Sequence, residues 1–184
     1  YAYINLAKEA MVGMIFISGV HGVGKSFFCD KVKSELNIET YSASTLISER
    51  KHKPFSSDKL IPDIDANQQY LLSAVDELRA RDNHFLLDGH FCLLNGEGIV
   101  TRIGIETFTS LKPDAIILMT EQPEIIAERR KSRDGLTYDV GNLRNFQNAE
   151  IAYAKEVTAL LGVALKISKG RDDLDSTIVF VQNH

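Results

Sequence analysis

The sequence predicts a three-layer α/β domain: a parallel sheet with helices on both faces. Two observations carry this. Short apolar runs rich in β-formers alternate with longer segments whose apolar residues recur at helical spacing, the pattern of buried strands joined by crossover helices. The first such run, "MIFIS" (14–18), leads straight into a glycine-rich turn and then a helix-period segment. No internal repeat, low-complexity tract or linker interrupts the 184 residues, so a single domain over 14–184 is expected.

The elements follow in order. After the strand at 14–18, residues 25–36 carry Phe28, Val32 and Leu36 at helical spacing. "IETYS" (38–42) reads as a weaker strand, 43–51 as a helix, and "KHKPFSSDKLIP" as a loop. Leu71, Leu72, Val75 and Leu78 form the apolar stripe of a helix over 65–81. "HFLLDGH" (84–90) is a third strand ending in a turn, followed by a polar loop through "NGEG" and a helix near 104–111. "DAIILMT" (114–120) is a fourth strand, and Pro123 opens a helix over 124–132 because a first turn tolerates proline. "SRDGLTYD" breaks that helix; a long helix over 140–161, a strand at 164–168 and a helix at 172–182 complete the chain.

Composition narrows the function classes. With 44% hydrophobic and 25% charged residues and a net charge of −4, the chain lacks the basic surface that broad nucleic-acid coating needs. A short single strand in a local basic groove stays open, and "ERKHKPF" (49–55) is the candidate stretch. Cys29 and Cys92 lie far apart without metal-ligand spacing and are expected as buried, reduced thiols. No apolar run approaches the ~20 residues of a membrane span and no leader pattern is seen, so a cytoplasmic location without membrane attachment is expected. Residues 1–13 read either as an N-terminal extension or as a remnant ahead of a natural start at Met11 or Met14.

Gly19-Val20-His21-Gly22-Val23-Gly24-Lys25-Ser26 fits G-x-x-x-x-G-K-[ST] at a strand-to-helix junction. Its glycines let the chain curl until several backbone N–H groups converge, and the helix beginning near Lys25 adds its positive end. ATP is the expected ligand, bound by Gly19, His21, Gly22, Val23, Gly24, Lys25, Ser26 and Phe27, with Lys25 on the β- and γ-phosphates. His21, at a variable position of the pattern, is expected to contribute its backbone. Mg²⁺ is expected on the Ser26 hydroxyl and, through water, on Asp88, the carboxylate at the C-terminal end of the third strand. Asp88 is equally placed to accept a proton from an attacking hydroxyl, and His90 either faces the acceptor or caps the turn. Arg129, Arg130 and Arg133 in "ERRKSRDG", with Arg144 beyond them, supply the cations that phosphoryl transfer needs, and Gly135 supplies a hinge.

These segments together resemble the adenylate kinase and nucleoside monophosphate kinase family, above all its short-lid, archaeal-type members. "GVHGVGKS" is similar to the family's nucleotide loop, "FLLDGHF" to its "ILDGFPR" strand, and "PEIIAERRKSR" to its lid-entry helix. The resemblance implies sheet order 2-3-1-4-5, a short lid at about 132–139 and acceptor-side helices at about 43–81. It implies Arg129 over the adenine, Arg133 on the phosphates, Arg144 at the head of the post-lid helix, and Lys169 and Gly170 beside the base. The acceptor half departs from the family pattern. "SASTLIS" stands where the family has S-T-G-D-x-L-R, so Ser48 replaces the arginine that grips the acceptor's phosphate. Arg50 lies two residues on, ~200° around a helix.

The expected activity is ATP-dependent phosphotransfer to a small acceptor, a nucleotide or nucleoside. Ser42, Ser44, Thr45, Gln68 and His90 would form the acceptor wall, and Asn67, Gln68 and Gln69 offer amides suited to a base edge. Two alternatives stand beside it. One is a P-loop ATPase or nucleotide-gated module acting on a partner protein; the other is a kinase of nucleic-acid ends.

Overall fold

The computed structural model describes residues 13–51, 60–61 and 63–184. The readings made for residues 1–12, and for most of the basic stretch 49–55, lie outside them. Eight strands and seven helices run in the order β1 (Gly13–Ser18), α1 (Lys25–Leu36), β2 (Glu39–Ser42), α2 (Ala43–Lys51), β3 (Leu60–Ile61), α3 (Ile64–Arg81), β4 (His84–Asp88), β5 (Cys92–Asn95), β6 (Val100–Arg102), α4 (Ile105–Leu111), β7 (Ala115–Met119), α5 (Pro123–Asp134), α6 (Val140–Leu161), β8 (Ala164–Ser168) and α7 (Leu174–Gln182) among the described residues.

The main sheet is parallel in the order β2-β4-β1-β7-β8, which is the expected 2-3-1-4-5 arrangement. Side chains alternate across it, and both faces are buried. Met14, Phe16, Phe85, Leu87, Ile116 and Leu118 pack with residues of α2, α3, α4 and α6. Ile15, Ile17, Leu86, Ala115, Ile117 and Met119 pack with residues of α1, α5 and α7. The central strands end together, and that end carries the glycine-rich loop and Asp88, in register with Ile17 across β1 and β4.

Helix ends follow their chemistry. Asp63 accepts from Ala66 N at 3.1 Å and caps α3; Asp139 accepts from Asn142 N at 2.7 Å and caps α6. Gly135 and Gly162 close α5 and α6 in the left-handed conformation. Because α5 runs to Asp134, the connection to α6 is only residues 135–139, shorter than the lid of 132–139 the sequence predicts.

One region departs from the expected pattern. The segment read as a polar loop is a hairpin: β5 pairs antiparallel with β6 and parallel with β3 in a small second sheet. Asn95 builds its turn, its side-chain oxygen accepting from Glu97 N and Ile99 N at 2.9 and 3.0 Å. Cys29 and Cys92 are buried free thiols, both pushed up to about 12 by burial. Among the described residues, no helix is long and apolar enough to cross a membrane.

Candidate active site

The glycine-rich loop leaves the sheet at Ser18 and enters α1 at Lys25. Gly19 sits at φ +140°, and a Cβ there would come within 2.5 Å of the Met119 backbone oxygen on β7. This close approach seats the loop on the sheet edge. Gly19→Ala is expected to cost roughly 1–3 kcal/mol of backbone strain, a Tm fall of about 2–12 °C in a chain of this size, measurable by thermal melting.

Lys25 is buried. Its ammonium donates to Gly19 O at 2.5 Å and lies 3.8 Å from the Asp88 carboxylate. Burial pushes the Asp88 carboxyl above its ordinary range, and Lys25 opposes that shift. Both residues open onto one cavity of about 740 Å³. On one side it is lined by His21, Gly22, Gly24, Ser26, Arg129 and Arg133; on the other by Ser42, Ser44, Thr45, Ser48, Asn67 and Gln68. His90 also lines it, its ring 4.6 Å from that of His21. Phe16 and Phe108, 5.6 Å apart edge to face, supply apolar wall.

The predicted arginines separate. Arg129 donates to Val23 O in the loop at 3.3 Å and pairs with Glu121 at 2.9 Å. Arg133 holds Asp134 through two bonds of 2.6 and 2.7 Å, which keeps that carboxyl well below the usual range. Arg144 stands apart: it pairs with Glu124 of α5 at 2.7 Å, half exposed, and does not line the cavity. Gly170 is buried beside Glu121, whereas Lys169 is exposed and its N–H donates to Asp173. Phe27 is exposed with the Arg171 guanidinium 4.9 Å over its ring. Lys169, Gly170 and Phe27 do not line the cavity.

A sequence profile described as an AAA domain matches residues 18–147, from the last residue of β1 into α6. The chain belongs to this AAA-domain family. It is also 28% identical over 173 residues to a Methanocaldococcus jannaschii protein named "Putative adenylate kinase", covering 92% of this chain and 80% of that one. Among solved structures, the shikimate kinase of Acinetobacter baumannii in complex with shikimate superposes with a TM-score of 0.55 at 15% identity, covering 94% of each chain. A gluconokinase from Sinorhizobium meliloti gives 0.52 at 15% identity, covering 94% of this chain and 91% of that one. These likenesses establish the P-loop kinase fold, and with the family match they bear out the resemblance read from the sequence.

Within this AAA-domain site, one buried carboxylate lies outside the residues that the sequence singles out. Glu150 of α6 is wholly buried beneath the loop. It accepts from Ser18 Oγ at 2.6 Å and from Phe91 N and Cys92 N at 3.0 and 2.8 Å. One carboxylate thus ties the strand before the glycine-rich loop to the segment after Asp88. Burial pushes it up to about 7, against the three hydrogen bonds and Lys25. Arg130 lies 3.7 Å over the Tyr138 ring, and its side chain presses on Gly22. Arg50 pairs with Glu77 at 2.6 Å and lines not the main cavity but an adjoining cleft, with Ser42, Thr45, Glu49 and Arg81.

Proposed function

We propose that this chain is an ATP-dependent phosphotransferase acting on a small acceptor. The observation that carries the reading is the meeting of Lys25 and Asp88, 3.8 Å apart, where the loop side of the cavity joins the serine- and amide-lined side. That is one binding space with a cation and a carboxylate at its centre. The glycine-rich loop supports ATP as donor, with Lys25 on its β- and γ-phosphates.

The available donors fit magnesium. Ser26 and Asp88 offer hard oxygen atoms, and among the described residues no cluster of three His, Cys, Asp or Glu could hold a metal by itself. Such a set suits a cation that keeps most of its shell from water and phosphate. When bound, magnesium would neutralise charge on the phosphate oxygens.

Asp88 takes the proton of the acceptor hydroxyl, a role favoured by the upward push of burial on its carboxyl. Lys25 and Arg129 stabilise charge on the transferring group, and Arg133 joins them by leaving Asp134. Gly89 follows Asp88 where an ATPase would hold a water-directing glutamate, which favours transfer over hydrolysis.

The test is ADP release with MgATP, alone and with a panel of small acceptors. Stimulation by an acceptor, with appearance of its phosphate ester, is the expected result. Hydrolysis that no acceptor stimulates would overturn the reading. Arg133→Ala is expected to lower kcat about 100-fold while KM for ATP changes less than threefold, because Arg133 engages only as charge develops.

A further inference from the structure

Gln147 and Glu150 lie three residues apart on α6, neighbours along the helix surface, and both are buried, at 9% and 0% exposure. Each holds the backbone of a segment that leads to a charged residue of the cavity.

Glu150 sits where two such segments meet. Its Oε2 accepts from Ser18 Oγ at 2.6 Å, and its Oε1 accepts from Phe91 N and Cys92 N at 3.0 and 2.8 Å. Ser18 precedes Gly19, whose carbonyl accepts from the Lys25 ammonium at 2.5 Å. Phe91 follows the turn Asp88-Gly89-His90, whose near end is held by Gly89 N donating to Ile17 O at 2.9 Å. The turn also presses on the sheet: a Cβ on Gly89 would stand 2.7 Å from the Phe16 ring. One carboxylate therefore grips both stretches of chain that bring Lys25 and Asp88 to 3.8 Å. A carboxylate in core spacing bears a desolvation cost that an apolar side chain there would not. What it supplies is a fixed relation between two backbone segments.

Gln147 does the same for the cations. Its Oε1 accepts from Glu121 N at 3.1 Å and its Nε2 donates to Glu121 O at 2.9 Å. Holding both backbone groups of one residue sets its orientation as well as its place. The Glu121 carboxylate in turn pairs with Arg129 at 2.9 Å, and Arg129 lines the cavity and donates to Val23 O of the glycine-rich loop.

We infer that Glu150 and Gln147 are positioning residues for the transfer step: Glu150 sets Asp88 against Lys25, and Gln147 sets Arg129 against the glycine-rich loop. This rests on the phosphotransfer reading above. Helix α6 thereby aligns the carboxylate of the cavity with its cations, although neither side chain lines the cavity.

The experiment is a pair of double-mutant cycles on single-turnover rates, with MgATP and the small acceptor that most stimulates the wild-type protein. Glu150→Leu alone is expected to slow transfer about 30-fold. Glu150→Gln keeps an acceptor for both N–H groups and should stay within about threefold of wild type. In an Asp88→Asn background, Glu150→Leu should cost no more than about threefold further, because the group it positions is already gone. Gln147→Leu is expected to cost about tenfold alone and no more than about twofold in an Arg129→Ala background. Should Glu150→Leu fail to fold, the Gln147 cycle carries the test. Losses that multiply in either cycle, or equal losses for Glu150→Leu and Glu150→Gln, would reduce these residues to packing. Either result would overturn the inference and leave phosphotransfer standing. Indifference of the wild-type protein to every acceptor would overturn both.

Discussion

Lys25→Ala is expected to remove ATP-dependent turnover, lowering kcat/KM for ATP by at least 100-fold, about 3 kcal/mol of transition-state stabilisation. Lys25 is the buried cation at the meeting point of the two halves of the cavity. Its present contacts, Gly19 O and Asp88, are groups an anionic phosphate would displace it from. The substitution has a second consequence. Asp88 is pushed up by burial and held back chiefly by Lys25, so without the ammonium its carboxyl should move higher still. Lys25→Met with Asp88→Asn separates the two effects: the double variant removes the stranded carboxylate and should recover thermal stability without recovering turnover. Activity kept at the wild-type level in Lys25→Ala would mean that the site lies elsewhere. A loss confined to KM would give Lys25 a ground-state role only.

The fold was legible because its punctuation is local. Pro123 opens α5, Gly162 closes α6, and Asp63 and Asp139 cap their helices by accepting from an N–H three residues on. The buried strands are continuous apolar runs, since both faces of the sheet are covered. The hairpin of β5 and β6 was not legible. Its strands are four and three residues long, and "NGEG" reads as loop until Asn95 is seen holding two N–H groups of the turn.

The site divides along the same line. The glycine-rich loop is one contiguous stretch, and Asp88 is marked by its place at a strand end. Arg144 shows the limit: its distance from the cavity is set by the packing of α6 on α5, where Glu124 meets it. Arg50 likewise meets its partner on another helix, Glu77. Glu150 did leave a signal. It occupies the same stripe of α6 as Leu143, Gln147, Tyr153, Ala154 and Val157, all buried, so it is a carboxylate written into core spacing. What the spacing lacks is the identity of its three donors, which come from β1 and from the segment leading into β5.

Glu150→Ala is expected to be the most destabilising single substitution among the described site residues. It would leave Ser18 Oγ, Phe91 N and Cys92 N without their acceptor, at about 1–3 kcal/mol for each unmatched buried group. The Tm should fall by 10 °C or more. Glu150→Gln should be far milder, because its amide oxygen can serve the two backbone N–H groups and its NH₂ can donate to Ser18 Oγ. The pair also isolates the proton. The Glu150 carboxyl is raised from 4.5 to about 7, so between those values the folded protein holds a proton that the unfolded chain has released. Folding stability from this group is therefore full below about pH 4.5 and falls as pH rises to about 7, by roughly 3 kcal/mol in all. Glu150→Gln does not titrate. The stability difference, Glu150→Gln minus wild type, should grow in favour of the glutamine variant from pH 5 to pH 7 and level off above, as followed by urea unfolding at each pH. A difference flat across that range would show that the carboxylate is already fully charged in its buried seat. The three hydrogen bonds would then outweigh the desolvation that the burial of Glu150 imposes.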